Sequence, residues 1–116
     1  MKFFLVALLI TLFAFFQTHP VRAAQNSDQK ISKLENKVAK KFSKTFCNST
    51  GFGISPEGAL KFSLGETEVE FEKNILISQV NLENIKDQIL NNVADACYYF
   101  DLTKSDLDKL SLSSKK

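Results

Sequence analysis

This 116-residue chain has one His, one Met and no Trp. The His, the Met and the single Arg (His19, Met1 and Arg22) all lie within the first 23 positions. Those positions carry the three parts of a secretory leader. Met1-Lys2 is a cationic start, Phe3 to Phe16 is an apolar run, and Val21-Arg22-Ala23 is a small-residue cleavage site after the helix-ending Thr18-His19-Pro20. The run falls short of the roughly 20 residues that a membrane-spanning helix needs. Residues 1–23 are therefore expected to be a cleaved signal peptide, with an uncleaved anchor as the alternative. No Cys stands at the cut to take a lipid.

Each absence excludes a class of chemistry. Without a His in Ala24–Lys116, the commonest general base is missing, and so is the imidazole that activates a Ser or Cys nucleophile. A zinc site of the usual Cys/His kind cannot be built from Cys47 and Cys97 alone. Without Arg, the bidentate phosphate and base contacts of nucleic-acid binders are lost. The charge agrees, since 13 Lys face 13 Asp plus Glu beyond the leader. No phosphate-cradling loop is present, because Gly51-x-Gly53 precedes no Lys-Ser/Thr pair. Hydrolysis by two carboxylates, from Glu57 and the Glu66–Glu72 row, remains formally open. Nothing singles out a cleft or a raised pKa there. The chain reads as a non-enzyme with no cofactor, no metal and no nucleic-acid partner.

What remains reads as one small domain, residues 24–112, with a polar tail at 113–116. A chain of this size hides roughly 60–65% of its unfolded surface, so its core is thin. An even pair of cysteines in an exported chain reads as a disulfide, Cys47–Cys97, and no Cys-x-x-Cys spacing suggests redox work. Two separate thiols are the alternative.

A first helix is expected from a cap at Ser27 or Asp28 to about Phe46, after a short polar arm. Ile31, Leu34, Val38, Phe42 and Phe46 share one arc, with Glu35 at its edge. Lys30, Lys33, Lys37, Lys40, Lys41 and Lys44 share another, in a segment of net charge +4 from Ala24 to Phe46. That stripe is a solvated face, a docking face for an anionic protein partner, or a surface for anionic membrane contact through the basic helix 28–46. A single helix without Trp is a weak interfacial anchor. Asn48 to Gly53 reads as a turn. Asn48-Ser49-Thr50 matches the N-glycosylation pattern, which matters only on a eukaryotic secretory route.

The next stretch is ambiguous. Ser55-Pro56-Glu57 signals a helix start, and Leu60, Leu64, Thr67 and Phe71 would share its face, with Gly65 ending or bending it. The same residues fit an α+β alternative, a hairpin over 59–72 turning at Gly65-Glu66. The helix is favoured, because an isolated two-stranded hairpin is marginal. Glu66, Glu68, Glu70 and Glu72 form a row that is a solvated acidic face, a loose cation site or a partner for the Lys stripe.

A third helix follows the cap Asn81, with Val80 and Ile85 placed as a hydrophobic staple. Leu82, Ile85, Ile89, Leu90, Val93, Ala96, Cys97 and Phe100 form its apolar arc. Tyr98 and Tyr99 point outward, as lids over the core edge or as contact residues. Thr103 caps a last short helix, Lys104 to about Leu112, with Asp106 at its third position and Leu102 and Leu107 as a second staple. The fold class is thus mainly α: three to four helices, one disulfide, after a signal peptide.

The run Phe46-Cys47-Asn48-Ser49-Thr50-Gly51-Phe52-Gly53-Ile54-Ser55, followed by Ala59-Leu60-Lys61-Phe62-Ser63-Leu64-Gly65-Glu66, resembles small, functionally unassigned exported proteins of cyanobacteria and plastids. No catalytic or ligand motif comes with the resemblance. It implies a place in the periplasm or thylakoid lumen and service to a photosynthetic membrane complex. The expected function is that of an exported accessory or assembly protein working by protein–protein contact. The candidate surfaces are the Lys stripe and the neighbourhoods of Phe52 and Tyr98-Tyr99.

Overall fold

The computed structural model describes residues 19–112. Most of the expected leader (1–18) and the polar tail (113–116) lie outside the described residues. The chain divides into two compact units, Met1–Lys30 and Ile31–Lys116. The described residues form three α-helices: α1 (His19–Gly51), α2 (Pro56–Phe71) and α3 (Leu82–Cys97). Short 3-10 turns at Ile77–Gln79 and Lys104–Lys109 complete the order, and the described residues contain no strand. No helix among them is long and apolar enough to cross a membrane.

The first helix exceeds its sequence reading at both ends. No cap forms at Ser27 or Asp28; the helical backbone already holds His19 and Pro20, and a proline in a first turn lacks only an N–H that has no intrahelical partner there. At the other end Asn48 to Gly51 is helix, not turn. The buried face simply continues, Leu34, Val38, Phe42, Phe46 and then Ser49. Thr50 Oγ1 donates to the Cys47 carbonyl at 3.1 Å, so its hydroxyl is satisfied inside the helix. The stop comes at Gly53, with φ of +91°. Ile54 N–H donates to the Ser49 carbonyl at 3.0 Å and Gly53 N–H to the Thr50 carbonyl at 3.1 Å. That bond pair is a Schellman closure, and its left-handed residue favours glycine.

The helix-or-hairpin choice resolves to helix, and the hairpin over 59–72 is not formed. The Ser55 hydroxyl accepts from Gly58 N–H at 3.2 Å, and Pro56 opens the first turn. Ala59, Ser63, Leu64, Thr67 and Phe71 face inward, with Leu60 half-buried. Gly65 neither ends nor bends α2 into a stop; it sits mid-helix in open space. A lone glycine weakens a helix by about 1 kcal/mol, too little to outweigh the burial of Thr67 and Phe71 beyond it.

In α3, Asn81 Oδ1 accepts from Glu83 and Asn84 N–H groups at 2.9 and 3.3 Å. The helix ends earlier than its apolar arc suggests: Tyr98 adopts a left-handed conformation (φ 55°) and breaks the register. Phe100 is consequently exposed, as is Ala96. The last helix is a 3-10 turn ending at Lys109, closed by a reciprocal capping box between Thr103 and Asp106. Leu107 and Leu110 are buried, and Leu102 packs on the same core.

Two further contacts hold the unit of Ile31–Lys116 together. Glu35, expected at the edge of the apolar face, is buried and accepts the Asn81 N–H at 2.8 Å, which ties α1 to the N-terminus of α3. Its charge lies at the positive end of the α3 dipole. At the opposite ends of these helices Cys47 and Cys97 form a disulfide, with Cα atoms 5.6 Å apart.

Candidate functional site

The predicted lysines do not act as one set. Lys30 belongs to the first compact unit, where it is exposed. In the second unit Lys33, Lys37, Lys40 and Lys44 are exposed and make no ion pair among the described residues. Lys41 is different: it is half-buried and pairs with Glu70 of α2 at 3.2 Å. Lys40 and Lys44 border a groove of about 530 Å³ between α1 and α3, beside the disulfide, with Asn92 and Asp95 on the far wall. The apolar face of α1 is spent in the core, since Leu34, Val38, Phe42 and Phe46 are all buried. Between Leu34 and Phe46 a lipid surface could therefore meet this helix only through its charges.

Phe52 is 87% exposed, held out on the turn that closes α1. Ile54 and Phe62 join it around a groove of about 330 Å³ whose other walls are Lys41, Thr45, Asn48, Ser49 and Glu66. Val69 stands one heptad beyond Phe62 on α2 and is 66% exposed. The sequence reading of α2 followed its inward face and missed these residues. Their signal was available once the segment is taken as helix, because positions 62 and 69 fall on the side opposite Ala59, Ser63 and Thr67.

Tyr98 and Tyr99 separate in role. Tyr98 caps α3 and is 79% exposed. Tyr99 turns inward, half-buried, and meets Phe46 edge to face with ring centroids 5.3 Å apart. It lines a pocket of about 230 Å³ with Pro56, Glu57, Leu60, Leu102 and Asp106, distinct from the Phe52 groove. So Tyr99 is a lid on the core edge and Tyr98 is surface.

The acidic row is partly engaged. Glu70 is held by Lys41, and Glu68 accepts the Ser111 N–H at 3.2 Å. Glu57 pairs loosely with Lys61 at 3.7 Å. Among the described residues no three Cys, Asp or Glu side chains stand close enough to hold a metal ion. Asn48 is exposed, but the sequon residues after it are spoken for within α1: Ser49 is buried and the Thr50 hydroxyl is bonded to a carbonyl.

A charged network that the sequence reading did not single out ties α3 to the Lys104–Lys109 turn. Lys86, mostly buried, reaches Glu83 at 3.3 Å and Asp108 at 3.1 Å, while Lys104 reaches Glu83 and Asp87 at 3.0 Å each. Hydrogen bonds from Lys104 and then Lys86 hold the Glu83 carboxyl below its ordinary pKa. The bond to Asp108 raises Lys86, and the bond to Glu83 raises Lys104. The carboxylates here are matched by ammonium groups, an arrangement that locks a turn.

The surface thus presents exposed apolar side chains, a basic helix face and a partly engaged acidic row. No family model, no curated protein and no solved structure matches this chain.

Proposed function

We propose that this chain is an exported, non-enzymatic accessory or assembly protein that works by protein–protein contact. One observation carries the reading: a small domain leaves Phe52, Ile54, Phe62, Val69, Ile75, Tyr98 and Phe100 in solvent, and three of them line one groove. Monomers rarely expose contiguous apolar surface that has no use. Export is supported by the leader pattern and by a structural disulfide, which persists in oxidising compartments. Service to a photosynthetic membrane complex, from the periplasm or thylakoid lumen, rests on the sequence resemblance alone.

The test is cross-linking in the native compartment with wild type, with Phe52→Ser, and with Lys33, Lys37 and Lys40 changed together to Glu. Loss of a specific cross-linked partner in at least one variant supports the reading. An identical cross-link pattern in all three defeats it. A second reading, contact with anionic lipid, draws on the unpaired lysines of α1. It requires liposome binding that weakens with salt, and no binding at low salt removes it.

A further inference from the structure

The outward face of α2 is left over once the core, the ion pairs and the disulfide are accounted for. At about 100° per residue, Gly58, Phe62, Gly65 and Val69 fall in one arc about 60° wide, opposite the buried side of the helix. The strip extends upstream, because Ile54 lies over Gly58: a Cβ there would meet Ile54 Cγ2 at 3.2 Å. Phe52 flanks this end of it across the shared groove. A Cβ on Gly65 would meet nothing within 4 Å, so packing inside the domain does not require a glycine between Phe62 and Val69. From Gly58 to Val69 the strip is about 16 Å long, three turns of helix.

Charged side chains edge this strip: Glu66 and Glu70 border one side, and Glu68 and the Glu57–Lys61 ion pair the other. Glu70, Glu57 and Glu68 each have a partner within the domain. Glu66 is exposed and has none among the described residues. With Glu57 and Glu70 matched by Lys61 and Lys41, Glu66 and Glu68 leave one negative charge on each margin, and an apolar strip edged in this way selects its occupant by charge.

We propose that this face of α2 binds an amphipathic helix of a partner protein, apolar on the facing side and carrying Lys or Arg at its edges. The proposal rests on the contact reading above and names the chemistry of the partner. A second copy of this chain fits poorly. Its basic helix has already buried its own apolar face, and two α2 strips packed antiparallel would bring Glu66 margins together. An anionic lipid surface meets the same repulsion. Helix-in-groove recognition supplies the geometry, with large apolar anchors at heptad spacing and ion pairs at the rim setting orientation and selectivity.

The probe is a fluorescein-labelled designed helix of about 18 residues, with leucines at i, i+3/i+4 and i+7 and lysines at the flanks. Its twin has glutamates at the flanks. Anisotropy is read against the purified chain with its disulfide intact, and amide shifts locate the site. The lysine-edged helix is expected to bind at least about tenfold more tightly than its twin, with shifts centred on Phe62, Gly65 and Val69. Val69→Glu should weaken it at least about tenfold, and Glu66→Lys should narrow or reverse the preference. Equal binding of the two helices, no binding of the lysine-edged one, or shifts confined to other faces overturns the proposal. So does self-association in sedimentation, or vesicle binding, that Val69→Glu abolishes. Benzoylphenylalanine in place of Phe62 separates the two levels. A partner cross-link in the native compartment, with no binding of the lysine-edged helix, sinks only the assigned chemistry. Failure of that cross-link and of the lysine reversals together removes the contact reading too.

Discussion

Opening the Cys47–Cys97 link should change stability more than any other single covalent edit to this domain. The link closes a loop with a sequence separation of 50 and joins the end of α1 to the end of α3. In the chain-entropy account a loop of that length restricts the unfolded ensemble by about 4 kcal/mol at 25 °C. The folded state should change little, because the Phe46–Tyr99 ring contact and the buried Ile89 and Val93 remain to hold the two helices. Typical domains have a total stability of about 5–15 kcal/mol. The loss therefore leaves a folded but marginal protein, with Tm lowered by about 15–30 °C for a domain of this size. There is no Trp to follow, so the assay is urea and thermal unfolding by far-ultraviolet circular dichroism. Oxidised protein is compared with reduced protein and with Cys47→Ala combined with Cys97→Ala. The urea midpoint should fall in both altered forms, and the slope m should rise, because an unlinked unfolded chain exposes more surface. A loss under about 1 kcal/mol would refute the reasoning, since the link would then be constraining an ensemble already held together by other contacts. Two freely alkylatable thiols in the untreated protein would refute it more directly.

Four smaller effects follow from particular side chains. Glu35→Ala removes the acceptor of the part-buried Asn81 N–H bond and should cost about 1 kcal/mol in urea unfolding, with Glu35→Gln costing less because it retains an acceptor. Thr67→Val should stabilise by about 1 kcal/mol, since the Thr67 hydroxyl is fully buried and has no hydrogen-bond partner. Gly65→Ala should add about 1 kcal/mol to thermal stability, because the site is helical and open to an added methyl group. Glu83 has a folded pKa below its ordinary 4.5, so its contribution is complete above that value and is lost as pH falls through the lowered one. Glu83→Gln should therefore flatten the fall of Tm over the acid range below about pH 4.5, and an unchanged slope would mean the network is not coupled to folding.

Several elements were legible before any coordinates because their signals are local. Asn81 with Glu83 and Asn84 behind it, Thr103 with Asp106, and Ser55 with Pro56 each satisfy backbone groups within a few residues, and all three starts form as read. The pairing of Cys47 with Cys97 followed from their being the only two candidates. The ends of helices were harder, because competing local preferences are nearly balanced there. Asn48-Ser49-Thr50-Gly51 has turn composition, yet Ser49 has a buried place waiting one turn beyond Phe46, and tertiary burial extends the helix through it. Tyr98 shows the reverse: the apolar arc invited the helix on to Phe100, but a left-handed residue turns Tyr99 onto Phe46 and leaves Phe100 outside.

The candidate surface divides the same way. That the Lys stripe would share a helix face could be read from periodicity, because spacing along one helix is a one-dimensional property. Which of those lysines stays free could not. Lys41 is committed only because α2 brings Glu70 to within 3.2 Å of it, and Glu35 and Lys86 are buried only because α3 and the Lys104–Lys109 turn cover them. The grouping of Phe52 with Ile54 and Phe62 likewise depends on how α2 leaves the Gly53 turn. Local bonding and helical period are written in short stretches of residues, whereas the choice of which polar group is covered, paired or left in water is made by segments far apart in the chain.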